Sequence, residues 1–130
     1  MRQVTAITAL MLALLALSGC STAYPEASYR AQTVGDAAGV EYGEWNIKHA
    51  SARFLAEEAG IQYFVARSLA DTVCLIQIPV AHPDRAVSSC GEHGVAVQGP
   101  FGPQVELVVP DMGERPGWRR LAPNLYAEEG

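Results

Sequence analysis

The first twenty residues constrain this chain more than any later segment. Arg2 is followed by an apolar run over residues 4–17, interrupted only by Thr5 and Thr8, and then by the small residues Ser18 and Gly19 ahead of Cys20. A positive charge, a short apolar core and small residues, in that order, form the pattern of a secretory signal. The run is about 14 residues long, or about 21 Å as a helix, whereas a membrane span needs roughly 20 apolar residues. The expectation is therefore an export signal over 1–19. That leaves 111 of the 130 residues, Cys20 to Gly130, for the working protein. A chain of this size holds one domain with a modest core, and covalent staples are common at such lengths.

Leu17-Ser18-Gly19-Cys20 resembles the lipobox of bacterial lipoproteins, in which the cysteine thiol receives a diacylglyceryl group before cleavage. The small Ser18 and Gly19 suit a narrow peptidase site, and Leu17 suits an enzyme working at the membrane face. The resemblance implies a membrane anchor through lipid on Cys20, on the extracytoplasmic face. Two acyl chains hold a protein stably where a single chain binds marginally. Ser21 follows the cysteine and is compatible with outward sorting in a cell with two membranes; in a cell with one membrane it carries no message.

With Cys20 assigned to lipid, Cys74 and Cys90 remain. Outside the cytoplasm an even pair of thiols is expected to form a disulfide. Closing a loop of roughly 15 residues is worth about 3 kcal/mol in the chain-entropy model. A redox catalyst wants Cys-x-x-Cys, and this spacing is far longer. A zinc site recruiting His82 and His93 is the competing use of these side chains, although only the Cys90–His93 spacing resembles a ligand pair.

Removing residues 1–19 takes out one charge, Arg2, and leaves 8 basic against 14 acidic side chains, a net of −6. An acidic surface repels phosphate backbones, so nucleic acid is not an expected partner.

Residues 20–45 read as a flexible tether rich in small and polar side chains. Tyr24, Tyr29 and Tyr42 within it are alternatively contacts for lipid headgroups. Residues 46–130 read as a small α+β domain. A helix is expected over 47–59, because Ala52, Leu55, Ala56 and Ala59 fall at i, i+3, i+4 and i+7 and Gly60 stands where a left-handed C′ residue is wanted. Asn46 and Ser51 are both candidate N-caps. Strands are expected over 61–66, 74–80, 94–98, 104–109 and 118–121, with Leu125 and Tyr126 docking the C-terminus and a loop over 82–89. One helix followed by four to five strands predicts a helix packed on a small antiparallel sheet.

The pieces Ser51-Ala52-Arg53, Gly60-Ile61-Gln62-Tyr63-Phe64, Val73-Cys74-Leu75-Ile76, Ser88-Ser89-Cys90, Gly94-Val95-Ala96-Val97, Leu107-Val108-Val109-Pro110-Asp111 and Leu121-Ala122-Pro123-Asn124-Leu125 resemble small surface proteins of actinomycete type. That likeness implies anchoring on the outer face of the cytoplasmic membrane and carries no activity with it.

Chemistry is sparse. Ser88-Ser89 has no Gly-x-Ser-x-Gly elbow, residues 99–103 lack the Lys-Ser/Thr of a phosphate loop, and Glu57-Glu58 and Glu128-Glu129 are neighbours in sequence rather than partners across a cleft. Arg115-Pro116-Gly117-Trp118-Arg119-Arg120 is the single basic, aromatic cluster. It reads as a strand start with Trp118 buried and the arginines paired with Glu114 or Asp111, in preference to a headgroup contact. The expected protein is a lipid-anchored, non-enzymatic module that binds an envelope protein, peptide or wall component, with no cofactor. The alternative is a small envelope hydrolase or metal-dependent enzyme using His82 and His93.

Overall fold

The computed structural model describes residues 23–36, 45–98 and 102–129. Their regular structure is eight strands and a few short 3-10 turns. The strands are β1 (Ile47–Glu58), β2 (Ile61–Ser68), β3 (Val73–Pro79), β4 (Val87–Gly91), β5 (Gly94–Val97), β6 (Val105–Val108), β7 (Trp118–Ala122) and β8 (Leu125–Glu128). They form two antiparallel sheets, ordered β1-β2-β3-β4 (sheet A) and β5-β6-β8-β7 (sheet B). Among the described residues no helix is long and apolar enough to cross a membrane.

Alternation along the strands makes the two sheets a sandwich. Ile61, Tyr63 and Val65 of β2 and Val73 and Leu75 of β3 point one way and meet Val95, Val97, Val105, Leu107, Leu125 and Ala127 of sheet B in one apolar core. Each such large side chain contributes about 2 kcal/mol of transfer free energy when fully buried. The opposite face of sheet A is also apolar, with Phe64, Ala66, Cys74, Ile76 and Ile78 buried in a second cluster beside Ile47 and Ala52. Every residue of β3 is consequently buried. A strand with no wet face reads as a continuous apolar run, as 73–79 does apart from Gln77.

The sheets are joined through Glu92 and His93, between β4 and β5. Glycine is obligatory on both sides of this joint. A Cβ on Gly91 would lie 2.3 Å from the Gly94 carbonyl oxygen, and one on Gly94, at φ 141°, would lie 2.4 Å from that of Leu107.

The expected α+β class, a helix on a sheet of four to five strands, is corrected to an all-β sandwich. The segment expected as a helix over 47–59 is β1 and the turn that follows it. Its misleading period has a physical source. Lys48 and Arg53 oppose Arg67 and Val65, so five steps on β1 meet two on β2; further on, Phe54 and Ala56 oppose Phe64 and Tyr63. These bulges insert three residues and then one, which destroys the two-residue alternation. The supposed stripe is divided: Ala52 lies in the outer cluster, Leu55 and Ala56 pack on the inter-sheet core, and Ala59 is exposed. Gly60 is not a helix cap. With Ala59 (φ 51°) and Gly60 (φ 78°) both left-handed and Glu58 facing Ile61, it closes a two-residue hairpin. The residue requirement, a positive φ, is the same in both settings.

The strands expected at 61–66, 74–80, 94–98, 104–109 and 118–121 are found within a few residues of those bounds. Besides β1, two strands depart from expectation. β4 occupies part of the expected loop 82–89, and β8 carries Leu125 and Tyr126 between β6 and β7.

Cys74 and Cys90 form a disulfide. They are directly opposed on β3 and β4, with Cα atoms 4.0 Å apart, so the bridge pins an edge strand to its neighbour. Replacing both cysteines by serine should lower unfolding stability by about 3 kcal/mol, read from urea denaturation, with the larger part of the change in folding equilibrium rather than in secondary-structure content. An unchanged urea midpoint would show that β4 is held without the bridge.

Candidate functional site

Of the residues singled out in the sequence, Cys20 lies outside the described residues, as does Tyr42. Ser88 and Ser89 are on β4, not in a loop. His82 precedes the 3-10 turn Pro83–Arg85 ahead of β4, and His93 follows β4 in the joint to sheet B. Both are exposed. The five residues of β4 stand between them, about 13 Å of extended chain. Among the described residues no group of three or more His, Cys, Asp or Glu is placed to hold a metal ion. The structure does not bring His82 and His93 into one site.

It does assemble a strap from residues 23–36, within the span expected as tether. Tyr24 Oη donates to the Asp71 carbonyl at 2.8 Å, and the Arg67 guanidinium lies 3.9 Å from the centre of the Tyr24 ring. Pro25 is buried, and the Glu26 N–H donates to Asn124 Oδ1 at 3.0 Å. At the other end of the strap Asp36 is 1 % exposed. Its carboxylate accepts two bonds of 2.7 Å from Arg30, one of 2.7 Å from the Thr33 N–H, one of 3.0 Å from Thr33 Oγ1 and one of 2.7 Å from the Phe54 N–H.

These bonds explain why charged groups are tolerated against an apolar face. A bulge turns backbone groups out of the ladder, and a buried N–H or C=O left without a partner costs about 1–3 kcal/mol. Asp36 takes up the Phe54 N–H. Arg53, also buried, donates to the carbonyls of Ala50 and Ala52 at 2.8 Å and to that of Arg30 at 2.9 Å. Ser51 Oγ donates to Lys48 O at 2.6 Å and accepts from the Arg67 N–H at 2.8 Å. The extra residues of β1 are thus repaired by side chains, two of them supplied by or bonded to the strap.

The second assembly is the connection from β6 to β7. Asp111 Oδ1 accepts from the Asn124 N–H at 2.9 Å and from Tyr126 Oη at 2.6 Å, and Arg120 ion-pairs with the same carboxylate. Tyr126 is fully buried, and its oxygen also accepts from the Met112 N–H at 3.0 Å. Burial pushes Asp111 upward, but the Arg120 guanidinium, the Tyr126 hydroxyl and the Asn124 N–H outweigh it and hold the carboxyl well below the usual range. Burial and the bond to Asp111 raise the Tyr126 phenol. Asp111, Arg120 and Tyr126 are each fixed to structural partners, and together they hold the connection in place.

Beyond Asp111 the connection curves around a concavity of about 500 Å³, bordered by Glu114, Arg115, Trp118, Arg119 and Glu129. The guanidinium of Arg115 lies 4.1 Å from the centre of the Trp118 ring and 3.1 Å from Glu106. Arg119 pairs with Glu58 across the sandwich. All three arginines of the basic cluster are therefore paired, one of them with the expected Asp111. Trp118 is half-buried, more open than the expected strand-start residue. The concavity presents an indole and polar rims of both signs, a surface suited to a neutral or mixed-charge ligand such as a peptide or sugar. A second hollow, of about 290 Å³, lies where the strap meets β1, lined by Ala27, Arg30, Phe54, Leu55 and Pro123.

Asp36, Asp111, Tyr126 and Asn124 carry these assemblies; the sequence points to Asp111 as an arginine partner and to Tyr126 as a docking residue, and assigns no role to Asp36 or Asn124. A buried aspartate has no local signature; its signal is the opposite charge of Arg30 six residues away, which is common by chance.

No protein-family model matches this chain, and neither a curated protein nor a solved structure matches it.

The Arg30 guanidinium, opposed by burial and aided by Thr33 and Phe54, holds the Asp36 carboxyl well below the usual range. A depressed folded-state value stabilises the fold above the unfolded value of about 3.9, and that stabilisation is lost as pH falls below it. Asp36→Ala should cost about 1–3 kcal/mol at neutral pH, because it leaves the Phe54 N–H without its partner, and the variant should lose less further stability than the parent between pH 5 and about pH 2. Parallel acid-melting curves for the two proteins would remove Asp36 from the repair of β1.

Proposed function

We propose that this protein is an extracytoplasmic lipoprotein, anchored through acyl chains on Cys20, whose β-sandwich is a non-enzymatic interaction module. The single observation that carries the reading is Leu17-Ser18-Gly19-Cys20 placed directly after Arg2 and its apolar run. One feature of the fold supports it: the Cys74–Cys90 bridge suits an oxidising compartment.

The binding face in this reading is the concavity around Trp118, and its partner is an extended peptide of an envelope protein or a wall component. β7 is an edge strand of sheet B, so its outer backbone groups are not paired within that sheet. An edge strand beside an aromatic hollow offers both main-chain pairing and a side-chain pocket to an extended ligand.

Cys20→Ala should move the protein from the membrane pellet to the soluble or secreted fraction, and the parent should show acyl mass on an N-terminal Cys20 by intact-mass spectrometry. A Cys20→Ala protein that still sediments with membranes would end the anchor reading. For the binding face, brief cross-linking in cells should yield an adduct that Trp118→Ala loses by about tenfold while His82→Ala keeps it, a loss typical of removing a central aromatic contact. An adduct indifferent to Trp118→Ala would move the binding face elsewhere.

A further inference from the structure

The strap fixes which end of the sandwich stands nearest the anchoring residue. Tyr24 is bonded to the backbone of the β2–β3 turn at Asp71 and lies under Arg67. It is four positions from Cys20, and a fully extended chain covers at most about 3.6 Å per residue, so the two Cα atoms are within about 14 Å of each other. The register places the rest of that end. Ile47 and Lys48 oppose Ser68 and Arg67, and Val73 opposes Gly91, which brings the start of β1, the β2–β3 turn and the Glu92-His93 joint together. Ile61 and Pro79 are opposed at the far end, about 23 Å away along β2.

The near end has the surface chemistry of an interface with lipid. Leu69, in the β2–β3 turn, is 62 % exposed, and its N–H is already satisfied by the Asn46 carbonyl at 2.7 Å. Ala70 beside it is exposed too. Tyr29 is 67 % exposed, and its hydroxyl accepts from the Tyr24 N–H at 3.2 Å, which holds a second phenol beside the first. Tyrosines are enriched where one part of a ring is apolar and another is wet, at the headgroup level. The charges here offset one another. Lys48 pairs with Asp71, Arg67 is stacked on Tyr24, and Glu92 is the remaining acid of the Asp71–Glu92–His93 hollow.

We infer that the β2–β3 turn, with Leu69 at its tip and Tyr24 and Tyr29 flanking it, is the membrane-apposed end of the domain and seats against the headgroup layer of the bilayer that holds Cys20. This rests on the anchor reading above, because an unlipidated chain has no reason to present that end to a membrane. The headgroup layer is roughly 5–8 Å deep on each side of the hydrocarbon, so it accommodates a turn and not the whole sandwich. Val80, 49 % exposed at the far end, stays in water. The near-balanced charge makes the seating independent of anionic lipid. The domain therefore stands end-on, with the Ala59-Gly60 hairpin and the Trp118 end of β7 pointing away from the bilayer.

The test uses the full chain, processed in cells and reconstituted into phosphatidylcholine vesicles. Leu69→Cys and Val80→Cys each introduce one reactive thiol, since Cys74 and Cys90 are bridged; both positions are exposed, so neither change disturbs the core. Each is labelled with an environment-sensitive fluorophore. The Leu69 label should shift to the blue and lose about half its emission to nitroxide placed at headgroup depth, as expected for an interfacial site, while the Val80 label keeps aqueous emission and full quenching by iodide. Replacing half of the lipid by phosphatidylglycerol should leave both readings unchanged. If the protein carries acyl mass and floats with the vesicles, yet iodide quenches the Leu69 label as fully as the Val80 label, the orientation is wrong. It is equally wrong if both labels report lipid. A protein without acyl mass that fails to float would remove the anchor reading, and this inference with it.

Discussion

The outer side of sheet A depends on what happens when a strand carries more residues than its partner. β1 has three extra residues between Lys48 and Arg53 and one more near Leu55. They bend it over the apolar face formed by Phe64, Ala66, Cys74 and Ile76, which would otherwise meet water. The cost is a set of backbone groups turned out of the ladder. Ser51, Arg53 and Asp36 take them up, and Asp36 belongs to the strap. The bulged β1, the covered outer face of β3 and the docked strap thus meet in shared bonds at Arg53 and Phe54.

The strap carries opposite demands at its two ends. Near Asp36 one bond from the Phe54 N–H, the Arg53 bond to the Arg30 carbonyl and the Gln32 bonds to the His49 and Ala52 carbonyls tie it to β1. Arg30 and Thr33 fold the strap onto the buried carboxylate. Near Tyr24 a hydroxyl bond and a stacked guanidinium hold it at the surface, with Pro25 buried and the Glu26 N–H on Asn124 beside them.

Much of the sandwich is legible in the sequence. β2, β3, β5 and β6 announce themselves through β-branched runs and two-residue alternation, and the pairing of Cys74 with Cys90 follows from counting thiols. β1 is not legible, because bulges replace its period with one resembling a helix and the Ala59-Gly60 turn resembles a helix end. β4 is hidden for another reason: Val87-Ser88-Ser89-Cys90-Gly91 is polar, with small side chains, and it is a strand because β3 and the disulfide make it one. Of the site residues, the three arginines are visible as a cluster, and the pairing of Arg120 with Asp111 matches expectation. Glu106 and Glu58, the partners of Arg115 and Arg119, come from other strands, and sequence distance conceals such partners.

The disulfide is asymmetric in a way that matters for its lifetime. Cys74 is fully buried in β3, while Cys90, its neighbour on the edge strand, is exposed. Attack from the exposed Cys90 side would release a Cys74 thiolate into the outer apolar cluster, directly opposite Ala66. An anion leaving into hydrocarbon is a poor leaving group, since apolar surroundings raise a thiol's pKa. The bridge is accordingly shielded from exchange by the side chains around its inner half, and reductants that reach the surface of the domain would find it slow to open.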